Sequence, residues 1–239
     1  MKVLIIIQAR MGSSRLPGKV LMILHGKPML EHMVDFLRHS KLTDQIVVAT
    51  TILSQDNKIE ELCKTLGVDC FRGSSEDVLK RYYDCAKLFK GDLIVRIAAD
   101  DPLVDPTLVD EVIRVCKETK CDYASNILHR THALGYLVEG FTFSTLKKLH
   151  ETQKDPLSRE GVTYHIEQNP HLYDVREVPA PSDISRPMWR LTVDYLEDFK
   201  LMSEIFLRLY KPNSYMTYRS VVNLLDKNKD LLKINARHH

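Results

Sequence analysis

Three observations predict an α/β fold built on a doubly wound, mostly parallel sheet with a small β extension. The chain opens on a continuous apolar run, Val3-Leu4-Ile5-Ile6-Ile7. A short β-branched run that ends in turn residues reads as a strand buried on both faces, as parallel strands are. Further apolar runs then alternate with segments of helical period as far as Cys121, the pattern of βαβ units. The runs end in polar loops, and right-handed crossovers gather such loops at one edge of a sheet, where open α/β folds bind ligands.

Taken in order, residues 28–39 form a helix with Met29, Leu30, Met33, Phe36 and Leu37 on one face. Residues 46–51 form a second strand. Asp56 caps the helix that follows, which turns Ile59, Leu62, Cys63 and Leu66 inward and ends at Gly67. A short strand at 68–72 leads to a helix at 77–89, with Val78, Leu79, Tyr82 and Cys85 or Ala86 inward. The strand at 93–98 ends in Ala99-Asp100-Asp101-Pro102, and Asp105-Pro106 opens a helix to Cys116. After Cys121 the rhythm changes. A strand end at 123–126 and a strand at 138–143 are followed by a helix over 145–151 capped by Ser144. A helix at 159–168 stops at Asn169-Pro170, and a strand at 172–178 is broken by Pro179-Ala180-Pro181. A strand at 188–193 carries the only Trp and delivers Asp194. Helices at 196–210, burying Phe199, Met202, Ile205, Phe206 and Leu209, and at 218–225 close the chain. Without repeats or a long linker, residues 1–239 read as a single domain.

Composition narrows the function classes. Apolar residues make up 44% and charged residues 28% of the 239, as in soluble globular proteins. A formal net charge of +2 excludes a general attraction to nucleic acid or anionic membrane, so any anion site must be a local concentration of charge. The five cysteines form no C-x-x-C pair and are odd in number, which predicts reduced, packing thiols in a cytoplasmic protein. The opening run is too short to span a bilayer and lacks a cleavage site. His238-His239 carry no functional weight.

The candidate chemistry lies at strand ends. After the first strand comes Gln8-Ala9-Arg10-Met11-Gly12-Ser13-Ser14-Arg15-Leu16-Pro17-Gly18-Lys19. Gly12, Ser13 and Ser14 can turn backbone N–H groups toward an anion, and Arg10, Arg15 and Lys19 can bond phosphate oxygens. This predicts a polyphosphate cradle; the plainer alternative is a basic surface turn. The spacing is neither that of a Walker loop nor G-x-G-x-x-G. Asp100 and Asp194 each end an apolar run, and two carboxylates beside a triphosphate make a hard oxygen site suited to Mg²⁺. Alternatively, Asp100 and Asp105 are cap or turn residues. The segment Arg72-Gly73-Ser74-Ser75-Glu76-Asp77 can likewise be a helix N-cap, with Ser74 or Ser75 capping. Arg159, Glu160 and His165 either face an acceptor or lie on a solvated helix face, and the solvated face suits His165. Tyr136 and Trp189 read as core or interface anchors. No Ser-His-Asp or Cys-His arrangement stands out, and no spacing suggests zinc.

The string from Arg10 to Lys19, Arg-x-x-Ser-x-Arg-Leu-Pro-Gly-Lys, resembles the start of the cytidylyltransferases that make CMP-activated acidic sugars. These include the 3-deoxy-manno-octulosonate and acylneuraminate cytidylyltransferases, and the similar spore-coat polysaccharide proteins look nearest. Gly26-Lys27-Pro28-Met29 also matches, whereas Gln8 replaces the proline of the octulosonate enzymes. Asp100-Asp101-Pro102-Leu103 resembles the family's Asp-Glu-Pro-Leu motif, and Val193-Asp194-Tyr195-Leu196-Glu197-Asp198 its Val-Asp-x-Pro-Glu-Asp motif. The resemblance implies a Rossmann-like fold of the nucleotide-diphospho-sugar transferase type, and Mg²⁺ on Asp100 and Asp194. It implies CTP held by Gln8, Ala9, Gly12, Ser13, Ser14, Arg72, Gly73, Ser74 and Ser75, with Arg81 at the edge of that site. Catalysis would fall to Arg10, Arg15 and Lys19, and an acidic sugar would be met by Glu139 and Arg159. Residues from about 125 to 190 would hold the acceptor, and a homodimer would form through an arm at 172–187. A nucleotidyltransferase with another nucleotide or with a phosphate or phosphonate acceptor, and a non-catalytic nucleotide-binding protein, are the alternatives.

Overall fold

The opening apolar run becomes the centre of the sheet. In the computed structural model, which describes residues 1–238, β1 (Val3–Gln8) is followed by a ribbon of β2 (Ile23–Leu24) and β3 (Lys27–Pro28) and by α1 (Met29–Leu37). Then come β4 (Gln45–Thr51), α2 (Asn57–Leu66), β5 (Asp69–Gly73), α3 (Val78–Phe89), β6 (Leu93–Ala98) and α4 (Pro106–Thr119). The second half runs β7 (Tyr123–Ser125), β8 (Glu139–Thr142), α5 (Phe143–Thr152), α6 (Pro156–Gly161), α7 (Tyr164–Gln168) and β9 (Val175–Glu177). α8 (Leu196–Leu209), α9 (Tyr218–Lys227) and short 3₁₀ turns complete it. The seven-stranded sheet has the order β5-β4-β1-β6-β8-β7-β9. β1 pairs in parallel with β4 and β6, β4 with β5, and β7 with β9; only β8 runs against its neighbours.

This order explains why β1 is apolar without alternation. Val3, Ile5 and Ile7 join the core under α1, α4, α8 and α9, while Leu4 and Ile6 join the core under α3 and α5. Successive side chains of a strand point to opposite faces, so a strand covered on both sides needs apolar residues throughout. The chain winds outward from β1 to β5, then returns to lay β6 on the other side of β1. The crevice beyond the carboxyl ends of β1 and β6, where Gln8 pairs with Ala98, is therefore the topological switch point. Among the described residues no helix is long and apolar enough to cross a membrane. All five cysteines are free thiols.

Several local expectations change. Asp56 does not cap α2: it is buried and accepts hydrogen bonds from Met11 N at 2.7 Å and from the Thr51 hydroxyl, tying the first loop to β4. Asp77, not Ser74 or Ser75, caps α3 by accepting from Lys80 N at 2.8 Å. Thr142, not Ser144, caps α5, at 3.1 Å from Thr145 N. The helix expected over 159–168 is two short helices, because Val162 takes a φ of 59° and the Thr163 hydroxyl turns in to Glu139. The expected strand at 188–193 makes no ladder. It has one bridge, Leu134 to Arg190, flanked by Leu134 N to Trp189 O at 2.9 Å and Leu191 N to Leu134 O at 2.6 Å.

That last contact depends on Gly135. Its φ is +108°, and a Cβ there would lie 2.4 Å from the Leu191 carbonyl carbon. The segment leading to Asp194 can approach so closely only because the side chain is missing. Gly135→Ala should lose about 2 kcal/mol or more in urea denaturation, since strain and a backbone clash add. A variant within about 0.5 kcal/mol of the parent would refute this close approach.

Candidate active site

The loop after β1 is built on one carbonyl. Met11 O accepts from Ser13 N and from Gly18 N, both at 2.9 Å, and Gly18 turns at a φ of 73°. The Ser13 amide is thus spent inside the loop rather than offered to a ligand. The Ser13 hydroxyl accepts from Leu16 N at 3.3 Å. The turn delivers Lys19 inward, with 7% of its surface exposed.

Lys19 joins the distant carboxylates. Its Nζ donates to Asp100 Oδ2 and to Asp194 Oδ1, both at 2.9 Å, and to the Val193 carbonyl at 2.7 Å. All three ammonium protons are used. Arg15 Nη2 reaches Asp194 Oδ1 at 2.6 Å, and Arg190 Nη2 reaches Asp194 Oδ2 at 2.8 Å. Burial opposes the charge on Asp194, but the bonds from Lys19 and Arg190, with Arg15 beside them, outweigh it and draw its pKa down to about 2. The two aspartate loops are also stitched through the backbone, Val193 N to Asp100 O at 2.8 Å. The neighbouring Asp101 carboxyl is pushed up to about 8 by burial and by the charge of Asp100, against a bond from Thr192.

Behind Asp194, the first turn of α8 is locked. Asp198 accepts from Asp194 N at 2.9 Å, from Tyr195 N at 3.0 Å and from the Arg190 guanidinium at 3.1 and 3.0 Å. Asn235, fully buried, donates to Asp198 Oδ1 at 2.8 Å and to the Arg190 carbonyl at 3.0 Å. The C-terminal segment therefore braces the loop that carries Asp194.

Two cavities of about 230 Å³ each meet over these groups. The first is lined by Gln8, Arg10, Ser13, Ser14, Arg15, Lys19, Arg96, Asp100 and Asp194. The second is lined by Asp101, Leu134, Leu137, Glu139 and Thr192, and it shares Arg15, Arg96, Ala98, Asp100 and Asp194 with the first. Glu139, 1% exposed, accepts from Arg96, from the Thr163 hydroxyl and from Tyr123 OH at 2.9 Å. Burial opposes the charge on Arg96, but Glu139 against it holds the arginine pKa above its ordinary value.

The remaining expected residues lie elsewhere. Ala9 is in the core, and Gly12 sits against Gln55; neither lines a cavity. Arg72 donates to the Thr51 and Leu53 carbonyls at 3.0 and 2.8 Å, and to Asn57 and Glu60. Gly73 ends β5, and Ser74 and Ser75 begin the turn before α3, held by Arg81 Nη1 on the Ser74 carbonyl at 2.6 Å. They line neither cavity, and Arg81 is fully buried. Arg159 pairs with Asp77 and with the His150 carbonyl at 3.0 Å, so it clamps α6 to α3 away from both cavities. Arg96 and Arg190 were missed. Arg96 is legible in retrospect as a lone charge inside the apolar run of β6, and Arg190 as a cation four residues before Asp194.

The donor set fits a hard cation. Asp100 and Asp194 converge on a position where a cation, the Lys19 ammonium, already stands. Among the described residues no cluster of three His, Cys, Asp or Glu side chains could hold a metal. Two protein carboxylates would leave the rest of the coordination to phosphate oxygens and water, which suits Mg²⁺.

Comparison with known proteins finds similarity along almost the whole chain. Residues 4–232 match the model of the family described as cytidylyltransferase. The chain is 32% identical to the spore coat polysaccharide biosynthesis protein SpsF of Bacillus subtilis, over 95% of both chains. It is 33% identical to the 3-deoxy-manno-octulosonate cytidylyltransferase of Pelobacter propionicus, over 48% of this chain and 44% of that one. The structure of a cytidylyltransferase from Leptospira borgpetersenii superposes with a TM-score of 0.92 at 34% identity, covering 97% of each chain.

Arg190→Met tests the bracing. Asp194 and Asp198 both have lowered carboxyl pKa values to which Arg190 contributes. A depressed folded pKa stabilises above the unfolded value, near 3.9, and that stability is lost as pH falls toward the folded one. The variant should therefore be less stable than the parent by about 2 kcal/mol above pH ~4, and the gap should close toward pH ~2. Urea titrations across that range read it; a gap constant with pH would rule the bracing out.

Proposed function

The chain belongs to the cytidylyltransferase family, and from that premise we propose that it uses Mg²⁺ and CTP to transfer CMP to an acidic sugar, releasing pyrophosphate. As a nucleotidyltransferase it needs no protein nucleophile. The observation that carries the proposal is the meeting of Lys19, Asp100 and Asp194 in one cavity beside the loop of Arg10, Ser13, Ser14 and Arg15. An oxygen of the acceptor attacks the α-phosphorus, the bond from that phosphorus to the bridging oxygen breaks, and pyrophosphate leaves.

In this reading Arg10 and Arg15 hold the outer phosphates, and Lys19 bears on the transferred phosphoryl group. Fixed charges around a developing negative charge supply most of the rate in such transfers, together with alignment. Mg²⁺ on Asp100 and Asp194 would neutralise phosphate charge. The acceptor enters the second cavity, where Glu139 fixes Arg96 at the seam with the first. The acidic-sugar assignment draws on the octulosonate enzyme of Pelobacter propionicus, and a role in surface polysaccharide synthesis on the Bacillus subtilis relative. A homodimer through the edge at β9 and action in the cytoplasm, which suits five free thiols, complete the proposal.

Pyrophosphate release measured with CTP, UTP, GTP and ATP against a panel of 2-keto acid sugars tests it. CTP should be preferred, and UTP or GTP outperforming it would sink the cytidyl assignment. Asp100→Ala, Asp194→Ala and Lys19→Met should each lower kcat by about 10²-fold or more. Unchanged turnover in any of the three would remove that residue from the chemistry.

A further inference from the structure

Asp194 is flanked by three cations in a way that bears on how the site loads. Its Oδ1 accepts from Lys19 and is ion-paired with Arg15 at 2.6 Å, and its Oδ2 accepts from Arg190. Oδ1 is also the oxygen that shares Lys19 with Asp100, so a cation held between the two aspartates would meet it, and Arg15 stands against it. The three cations differ in freedom. Lys19 is buried and fully bonded, and Arg190 is fixed by Asp198. Arg15 is 51% exposed; among the described residues its one ion-pair partner is Asp194, with the Tyr195 ring 5.3 Å from its guanidinium carbon. Asp100, with its side chain one-third exposed, accepts from Lys19 alone.

We propose that Arg15 is an exchange residue: it occupies the Asp194 position that a divalent cation needs and vacates it only when a triphosphate draws it away. The free protein then excludes the ion, and nucleotide and ion load together. The proposal rests on the nucleotide reading of the cavity. Lys19, Arg15 and Arg190 balance Asp100, Asp194 and Asp198, so no net negative charge remains to draw a dication in. A triphosphate supplies that negative charge and offers Arg15 a better partner than a single carboxylate oxygen. Because such coupling is reciprocal, the ion must raise nucleotide affinity by the factor by which nucleotide raises ion affinity.

The experiment titrates Mn²⁺ into the full-length protein and reads free Mn²⁺ by electron paramagnetic resonance. Without nucleotide, Arg15→Ala should bind Mn²⁺ about tenfold or more tightly than the parent, and Asp194→Asn should abolish the gain. With α,β-methylene-CTP, the parent should gain at least about tenfold in Mn²⁺ affinity, and Arg15→Ala should gain less. Arg15→Ala binding Mn²⁺ no more tightly than the parent would overturn the exchange, provided its thermal melt matches the parent's; Arg15→Gln serves if it does not. The first arm contains no nucleotide, so it stands apart from the nucleotide reading, whose own failure would show as no effect of α,β-methylene-CTP in either protein.

Discussion

One buried ammonium group holds the site together. Lys19 reaches across 81 residues to Asp100 and 175 to Asp194, and takes the Val193 carbonyl with its third proton. A lysine this buried would cost several kcal/mol if unpaired, and the two aspartates would repel each other without it. Each member is tolerable only because the others are present. The sheet makes that possible, since the loop after β1, the end of β6 and the entry to α8 all reach one crevice.

The crevice is held from behind as well as from below. Asp198 caps the first turn of α8 and binds Arg190, and Asn235 fastens both from the far end of the chain. Gly135 lets a second loop press against the backbone of Leu191, three residues before Asp194. Segments with no role in binding therefore decide where a carboxylate points. Catalytic geometry needs this, because small displacements of a charged group cost orders of magnitude in rate.

Much of the fold was legible in the sequence, and the reasons are local. The run from Val3 to Ile7 could only be a buried strand, Gly67 ends α2 at a φ of 61°, and Asp105 caps α4 with Pro106 in its first turn. Lys19, Asp100 and Asp194 were legible as groups that meet at one edge of the sheet, but not as a direct ion pair. What stayed hidden depended on distant partners. Asp56 looks like a cap until Met11 and Thr51 claim it. Residues 188–193 have the composition of a strand, yet the neighbour that would complete a ladder is a loop closing on Gly135. Arg159 carries the right charge for an acceptor, but Asp77 holds it.

That last case separates the cations by valence. Arg72 and Arg159 are bonded to the fold through all three guanidinium nitrogens, and Arg190 through Nε and Nη2, so a ligand would have to displace a structural bond at those atoms. Arg10 lines the first cavity without an ion pair among the described residues, and Arg15 has one exchangeable partner. Arg96 stands between these classes. Glu139 takes Nη1, while Nε is buried without a partner, so the guanidinium is oriented but not exhausted. It lies on the seam of the two cavities. A group fixed on one side and unsatisfied on the other can bind a developing charge without first reorganising.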